Sequence, residues 1–291
     1  MTRNRNREVS NEERRNCHFA EAHAPVEVAL KNGGKHCLAR RIVALMPKHL
    51  HYVEPFAGGL AVLLAKDPEG VSEVVNDLNG ALCNFWTVLQ GRWFDDFCRI
   101  VQAVLFSEVE YRHACHPDAF YGHTEAGVNQ AVAFFIRCRQ SYAGRMGSFA
   151  PLTRRRTRRG MNEQAAAWLT TVEGLPEVHA RLKRVVILNR PALEVITGQD
   201  GPDTLFYCDP PYLHATRASP DVYAHEMTED EHRQLLEVLN GCKGKVMLSG
   251  YPSELYDREL AGWTRHAFDL PNNAAGGKKK GRETEVLWCN F

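Results

Sequence analysis

Apolar residues along this chain follow two alternating rhythms. Short runs rich in apolar residues at 50–53, 71–75, 184–188, 204–208 and 245–249 have the length of buried strands. Between them the period lengthens to that of an amphipathic helix. Leu38, Ile42, Leu45 and Met46 share one face up to a stop at Pro47, residues 60–65 form a short apolar stretch, and Leu82, Phe85, Trp86 and Leu89 form another face. Leu235, Leu236 and Leu239 follow a Thr228-Glu229-Asp230-Glu231 capping box and precede Gly241. After a Gly-Gly-Lys-Lys-Lys loop at 276–280, residues 283–291 read as a last strand in a hairpin at the sheet's edge. Strand and helix in alternation predict an α/β fold with a mostly parallel sheet.

The alternation lapses between 91 and 184. Helical stretches are predicted there around 94–106 and 129–139, whereas 140–162 is rich in arginine and turn-forming residues. The predicted organisation is a disordered polar tail (1–29), a first half of the α/β domain (30–90), a mostly helical insert (91–184) and a second half (185–291). Arg3, Arg5, Arg7, Arg14 and Arg15 belong to the tail, mixed with Glu and Asn in no periodic order.

Composition acts mainly by exclusion. A chain of 291 residues with 44% hydrophobic and 24% charged residues is ordinary for a soluble globular protein. It contains no apolar run of membrane-spanning length and no signal-peptide pattern, so a cytoplasmic location without a membrane partner is expected. Nine cysteines without a CxxC pair predict neither a disulfide framework nor a zinc ribbon. His113-Ala114-Cys115-His116 fits no common zinc spacing, and no metal is expected.

The formal charge is only +1, but it is unevenly spread. Arg137, Arg139, Arg145, Arg154, Arg155, Arg156, Arg158 and Arg159 lie in one stretch with no acid among them. Tyr142, Met146, Phe149 and several glycines are interleaved with them, a composition suited to phosphate contact, groove readout and wedging between bases. Contact with nucleic acid is the reading preferred to a plain solvated face.

Candidate chemistry gathers at predicted strand ends. Asp209-Pro210-Pro211-Tyr212 closes the 204–208 run, and two prolines cannot continue a sheet ladder. The tetrapeptide is thereby handed to the carboxyl end of a strand, where open α/β sheets bind ligands. Glu54-Pro55-Phe56-Ala57-Gly58-Gly59 joins a strand to a helix, and its paired glycines let backbone pass close beneath a ligand. Asp77 follows Gly59 by eighteen residues, about the offset at which an acid holds ribose hydroxyls in such folds. The turn and the acid together point to a ribose-bearing cofactor, the alternative being that Asp77 merely caps the next helix.

Taken in order, Gly33-Gly34-Lys35, the Pro55-Phe56-Ala57-Gly58-Gly59 turn, Asn76-Asp77, the arginine-rich insert and Asp209-Pro210-Pro211-Tyr212 carry a family likeness. From about residue 30 to 291 the sequence resembles the Dam-type (D12 class) DNA adenine-N6 methyltransferases. The resemblance implies a Rossmann-like S-adenosylmethionine-dependent methyltransferase sheet with an inserted target-recognition domain. It implies S-adenosylmethionine as cofactor and double-stranded DNA as partner, with no obligate protein partner. By the same resemblance Lys31, Lys35, Glu54, Pro55, Phe56, Gly58, Gly59, Asp77 and Asp209 line the cofactor pocket, although the family commonly has an aromatic residue where this chain has Lys31. Asp209, Pro210, Pro211 and Tyr212 would be catalytic. Arg137, Arg139, Tyr142, Arg145, Arg154, Arg155, Arg156, Arg158 and Arg159 would meet DNA.

The implied reaction is methylation of the adenine N6 amino group of a base flipped into the Asp-Pro-Pro-Tyr pocket. Cytosine-N4 methylation uses the same exocyclic-amine chemistry, and a catalytically silent DNA-binding relative is a second alternative. Base analysis of the product separates the first, and isotope transfer from labelled cofactor separates the second.

Overall fold

The structure is a computed structural model that describes residues 35–151, 153–216, 225–271 and 282–291. Its elements run α1 (His36–Val43), β1 (His51–Glu54), α2 (Ala61–Ala65), β2 (Ser72–Asn76), α3 (Gly80–Gln90), α4 (Phe94–Ala103), α5 (Glu108–Ala114) and α6 (Ala126–Gln140). Two-residue strands β3 (Thr157–Arg158) and β4 (Met161–Asn162) follow, then α7 (Glu163–Leu182), β5 (Val185–Leu188), α8 (Ala192–Gln199) and β6 (Thr204–Cys208). The chain continues through α9 (Glu229–Asn240), β7 (Lys245–Gly250), α10 (Glu254–Glu259), β8 (Thr264–Pro271) and β9 (Arg282–Cys289).

Seven strands form one sheet in the order β5-β2-β1-β6-β7-β9-β8. The first five are parallel, and β9 runs antiparallel to both β7 and β8. After β1 the chain builds outward to β2 and β5 on one side, then returns to build β6 and β7 on the other. The crevice beyond the carboxyl ends of β1 and β6 is therefore the switch point of a doubly wound, Rossmann-like sheet.

Side chains sort to the two faces with the strand period of two. Leu205, Tyr207 and Met247 enter one core, while Phe206, Cys208, Val246 and Leu248 enter the other. Burial on both faces explains why β6 reads as a continuous apolar run instead of an alternating one. The first core extends without interruption into the 91–184 segment, where Phe97, Phe135, Trp168 and Leu175 pack with Phe85 and Trp86 of α3. A buried ion cluster joins the same parts: Arg181 of α7 donates to both oxygens of Glu73 on β2 (2.6 and 2.7 Å), and Lys66 lies 3.1 Å from Glu73.

Several elements differ from expectation. Helix α1 ends at Val43, short of Pro47, so Leu45 and Met46 pack from the turn that follows it. The long α7 was hidden by Gly174 and Pro176 within its span; the Asn162 side chain starts it by accepting from the Gln164 N–H at 2.9 Å. The hairpin at the sheet's edge is present, but its outer strand is β8, and β9 lies inside it. Strand β8 shows solvent the charged Arg265 and Asp269 and, among its residues of described burial, buries only Phe268 fully, a charged character suited to an edge and poor in apolar alternation. The capping box opens α9 as expected, with Thr228 N–H donating to Glu231 Oε2 at 2.7 Å and Glu231 N–H donating to Thr228 Oγ1 at 3.2 Å. The expectations for the tail, Lys31, Gly33-Gly34 and the 276–280 loop lie outside the described residues. Among the described residues no helix is long and apolar enough to cross a membrane.

Candidate active site

At the carboxyl end of β1 the chain must turn sharply to enter α2. Gly58 sits at φ +48°, a conformation suited to glycine, and a side chain there would project into open space. Leu60 is held at φ +57° at the start of α2, a strained position for a residue with a Cβ and one of the kind that gathers at functional turns. Asn76 at the end of β2 fixes this turn: its side-chain amide donates to the Pro55 and Arg190 carbonyls, each at 3.0 Å, and its backbone carbonyl accepts from Ala57 N–H at 2.8 Å.

Asp77, next in the chain, accepts from Gly58 N–H at 3.0 Å on one oxygen and from Asn79 N–H at 2.9 Å on the other. Each oxygen keeps a further lone pair, so the oriented carboxylate can still accept from a ligand's hydroxyls. The cap of α3 is Asn79, not Asp77, which leaves Asp77 for the turn and the crevice. These features fit a ribose-bearing cofactor. Phe56 and Gly59 are half-buried on the same turn, and Pro55 is buried.

Glu54 is buried at the end of β1, where it accepts from the Tyr52 hydroxyl at 2.7 Å. Burial pushes its carboxyl up to about 8, against the pull of hydrogen bonds from Tyr52 and the Leu63 backbone.

On the other side of the switch point β6 delivers Asp209. Lys35, at the start of α1, places Nζ 3.1 Å from Asp209 Oδ1. Burial lowers the lysine's pKa, and the charge of Asp209 raises it in part. The same ammonium donates to the Tyr212 hydroxyl and to Glu285 on β9, and Tyr212 donates to Glu285 at 3.0 Å. Lys35, Tyr212 and Glu285 are almost fully buried, whereas the Asp209 side chain is 24% exposed towards the crevice end of the sheet. The Tyr212 ring meets Tyr251 edge-on with centroids 4.5 Å apart. Pro210 is buried and Pro211 half-buried. Glu285 was not singled out from sequence, and Asn76 only as the neighbour of Asp77 in the Asn-Asp pair. The available signal for Glu285 was an acid beginning the apolar run Val286-Leu287-Trp288.

The arginines divide into two groups. Arg137 and Arg139 lie half-buried on α6, and Arg139 donates to the Thr171 hydroxyl of α7, which turns its guanidinium into the helical segment. Arg145, Arg154, Arg155, Arg156, Arg158 and Arg159 are exposed, together with Tyr142. Strands β3 and β4 pair through a tight turn whose two residues, Arg159 and Gly160, both have positive φ, the twist-compatible hairpin geometry. Arg159 is tied bidentately to Glu173 of α7 (2.8 and 3.1 Å), and Arg156 lies 3.6 Å from Glu163.

A DNA N-6-adenine-methyltransferase of Escherichia phage P1 is 26% identical over 77% of this chain, which spans 30% of that protein. The Type II methyltransferase M1.LlaDCHI of Lactococcus lactis subsp. cremoris is 23% identical over 89% of this chain and 93% of its own length. Among solved structures, a SAM dependent methyltransferase from Agrobacterium tumefaciens aligns with a TM-score of 0.36 at 12% identity, over 88% of this chain and 61% of that one. The family model described as D12 class N6 adenine-specific DNA methyltransferase matches residues 32–268. That span takes in Lys35, the glycine turn, Asp77, the arginine hairpin and Asp209, and the chain belongs to the D12 class N6 adenine-specific DNA methyltransferase family.

Proposed function

We propose that this protein transfers a methyl group from S-adenosylmethionine to the N6 amino group of adenine in duplex DNA, acting on a base turned out of the helix. One observation carries the reading: Asp209, paired with Lys35 at 3.1 Å, stands at the same sheet edge as the Gly58–Asp77 turn, across the switch point. When bound, S-adenosylmethionine supplies an electrophilic methyl group on a sulfonium whose thioether leaves readily.

The chain's own residues deal with the acceptor. Adenine's amino nitrogen is a poor nucleophile because its lone pair is delocalised into the ring. The Asp209 carboxylate and the Pro210 carbonyl are two acceptors for its two N–H groups, and holding both draws the nitrogen towards tetrahedral geometry and localises the lone pair. The charge on Asp209 stabilises the positive charge that develops on nitrogen, and the same carboxylate can accept the proton that nitrogen sheds. Proline at 210 brings no competing N–H.

Asp77 and the open face of Gly58 suit the ribose end of the cofactor, with Glu54, Pro55, Phe56 and Gly59 shaping the turn and Lys35 beside it. Tyr142, Arg145, Arg154, Arg155, Arg156 and Arg158 form the exposed surface offered to DNA. Turning a base out costs a few kcal/mol, and stacking on an aromatic such as Tyr212 returns about 1–3 kcal/mol.

The test is expression in cells that lack adenine methylation, followed by sequencing that reports N6-methyladenine at single-base resolution. Methyladenine at a defined short motif is expected. N4-methylcytosine, or unmodified DNA in the presence of folded protein, would overturn the proposal.

A further inference from the structure

Glu285 is a buried acid beside Asp209 and Lys35 that the proposed chemistry does not use. Glu285 lies beyond residue 268, where the family match ends. Strand β9 runs antiparallel to β7, and Val286 pairs with Gly250, the last residue of β7. Residues before Val286 therefore overhang the carboxyl edge of β7, paired only with β8 from Phe268↔Glu285 to Pro271↔Arg282. This overhang carries Glu285 over the edge at which β6 delivers Asp209.

Glu285 is 6% exposed, and its Oε1 accepts from both Lys35 Nζ and the Tyr212 hydroxyl. A buried carboxylate is costly to desolvate, so packing alone would be better served by an apolar side chain like those of Val286 and Leu287. Its geometry has a specific effect on the lysine. An ammonium ion facing a single acid closes onto it as a neutral pair. With a second acid on its other side, Lys35 is shared between the two, and with both acids ionised the cluster keeps a net negative charge.

We propose that Glu285 is a positioning residue for methyl transfer: it holds Lys35 between two carboxylates and anchors the Tyr212 hydroxyl, so that the ammonium is not committed to Asp209 alone and Asp209 keeps its aim towards the target amino group. The inference rests on the methyl-transfer reading of the Asp209 site.

The test uses the full chain with Glu285→Gln, Glu285→Ala and Glu285→Asp. Glutamine preserves shape and an acceptor for Tyr212 but removes the charge. For Glu285→Gln, kcat on duplex DNA is expected to fall about 10- to 100-fold while KM for DNA and the thermal midpoint stay near wild type. Glu285→Asp is expected to recover part of the loss. A purely structural role would instead lower the thermal midpoint and spare kcat in the folded fraction.

A second readout needs no turnover. In pulse acetylation of the cofactor-free protein with acetic anhydride, read by peptide mass spectrometry, Lys35 is expected to react several-fold faster in the Gln and Ala variants. Undiminished kcat in Glu285→Gln, or unchanged Lys35 reactivity in both variants, overturns the inference. A wild type that transfers no methyl group defeats the proposed function instead, and the labelling still decides whether Glu285 holds Lys35.

Discussion

Asp209 and Glu54 are two acids at adjacent strand ends with different partners. Asp209 meets an ammonium ion at 3.1 Å and remains partly open to the crevice. Replacing it with alanine is expected to abolish methyl transfer while weakening cofactor binding only in part, measured by isotope transfer and by calorimetry; near-normal transfer would remove Asp209 from the reaction. Glu54 is buried beside a phenol and holds its proton to about 8, whereas an unfolded glutamate releases it near 4.5. Between those values the folded state binds more protons than the unfolded one, so the acid's contribution to stability falls as pH rises through that window, by up to about 1.4 kcal/mol per pH unit. In urea titrations across pH 5 to 8 Glu54→Gln is expected to flatten the stability curve, and an unaltered slope would place its proton elsewhere.

The β3–β4 hairpin and the helix behind it show how an element gives meaning to residues that are identical in sequence. Arg154, Arg155 and Arg158 are exposed on or beside the hairpin, while Arg139 points into the packing between α6 and α7. Alanine at the three exposed positions is expected to lower the slope of log K against log salt by about 0.9 for each phosphate that is no longer neutralised. Arg139→Ala is expected to lower the melting temperature and leave that slope unchanged, which fluorescence anisotropy at several salt concentrations would check. The arginine run alone could not make this division, because charge pattern carries no information on which side of a helix faces a neighbour. Elements whose boundaries depend on local chemistry were readable: the Thr228 capping box and the proline stop after β6 stand where the residues require. Helix α7 was not, since Gly174 and Pro176 interrupt its pattern and only packing of Trp168, Leu175 and Val178 overrides them.

Across the whole molecule, the sheet's parallel half was readable because β1, β2, β6 and β7 are largely buried on both faces, and the antiparallel half was only partly so because β8 is an edge. The seat of the 91–184 segment was invisible: it depends on Glu73, Lys66 and Arg181, which are far apart in sequence and ordinary when taken singly. Glu73→Ala would strand two nearly buried cations and is expected to destabilise the protein by about 3–5 kcal/mol, measured by chemical denaturation. A loss within experimental error would mean that the apolar core alone seats the segment. The overhanging hairpin has a consequence for how the protein is made. Lys35 and Glu285 touch across 250 positions of sequence, among the longest separations this chain allows. Pairings of such range are entropically slow to close and form late in folding. Under the proposed function, methyl-transfer competence is therefore expected to emerge only as β9 docks, so that a partly folded copy would hold the Gly58–Asp77 turn without a complete Asp209 site.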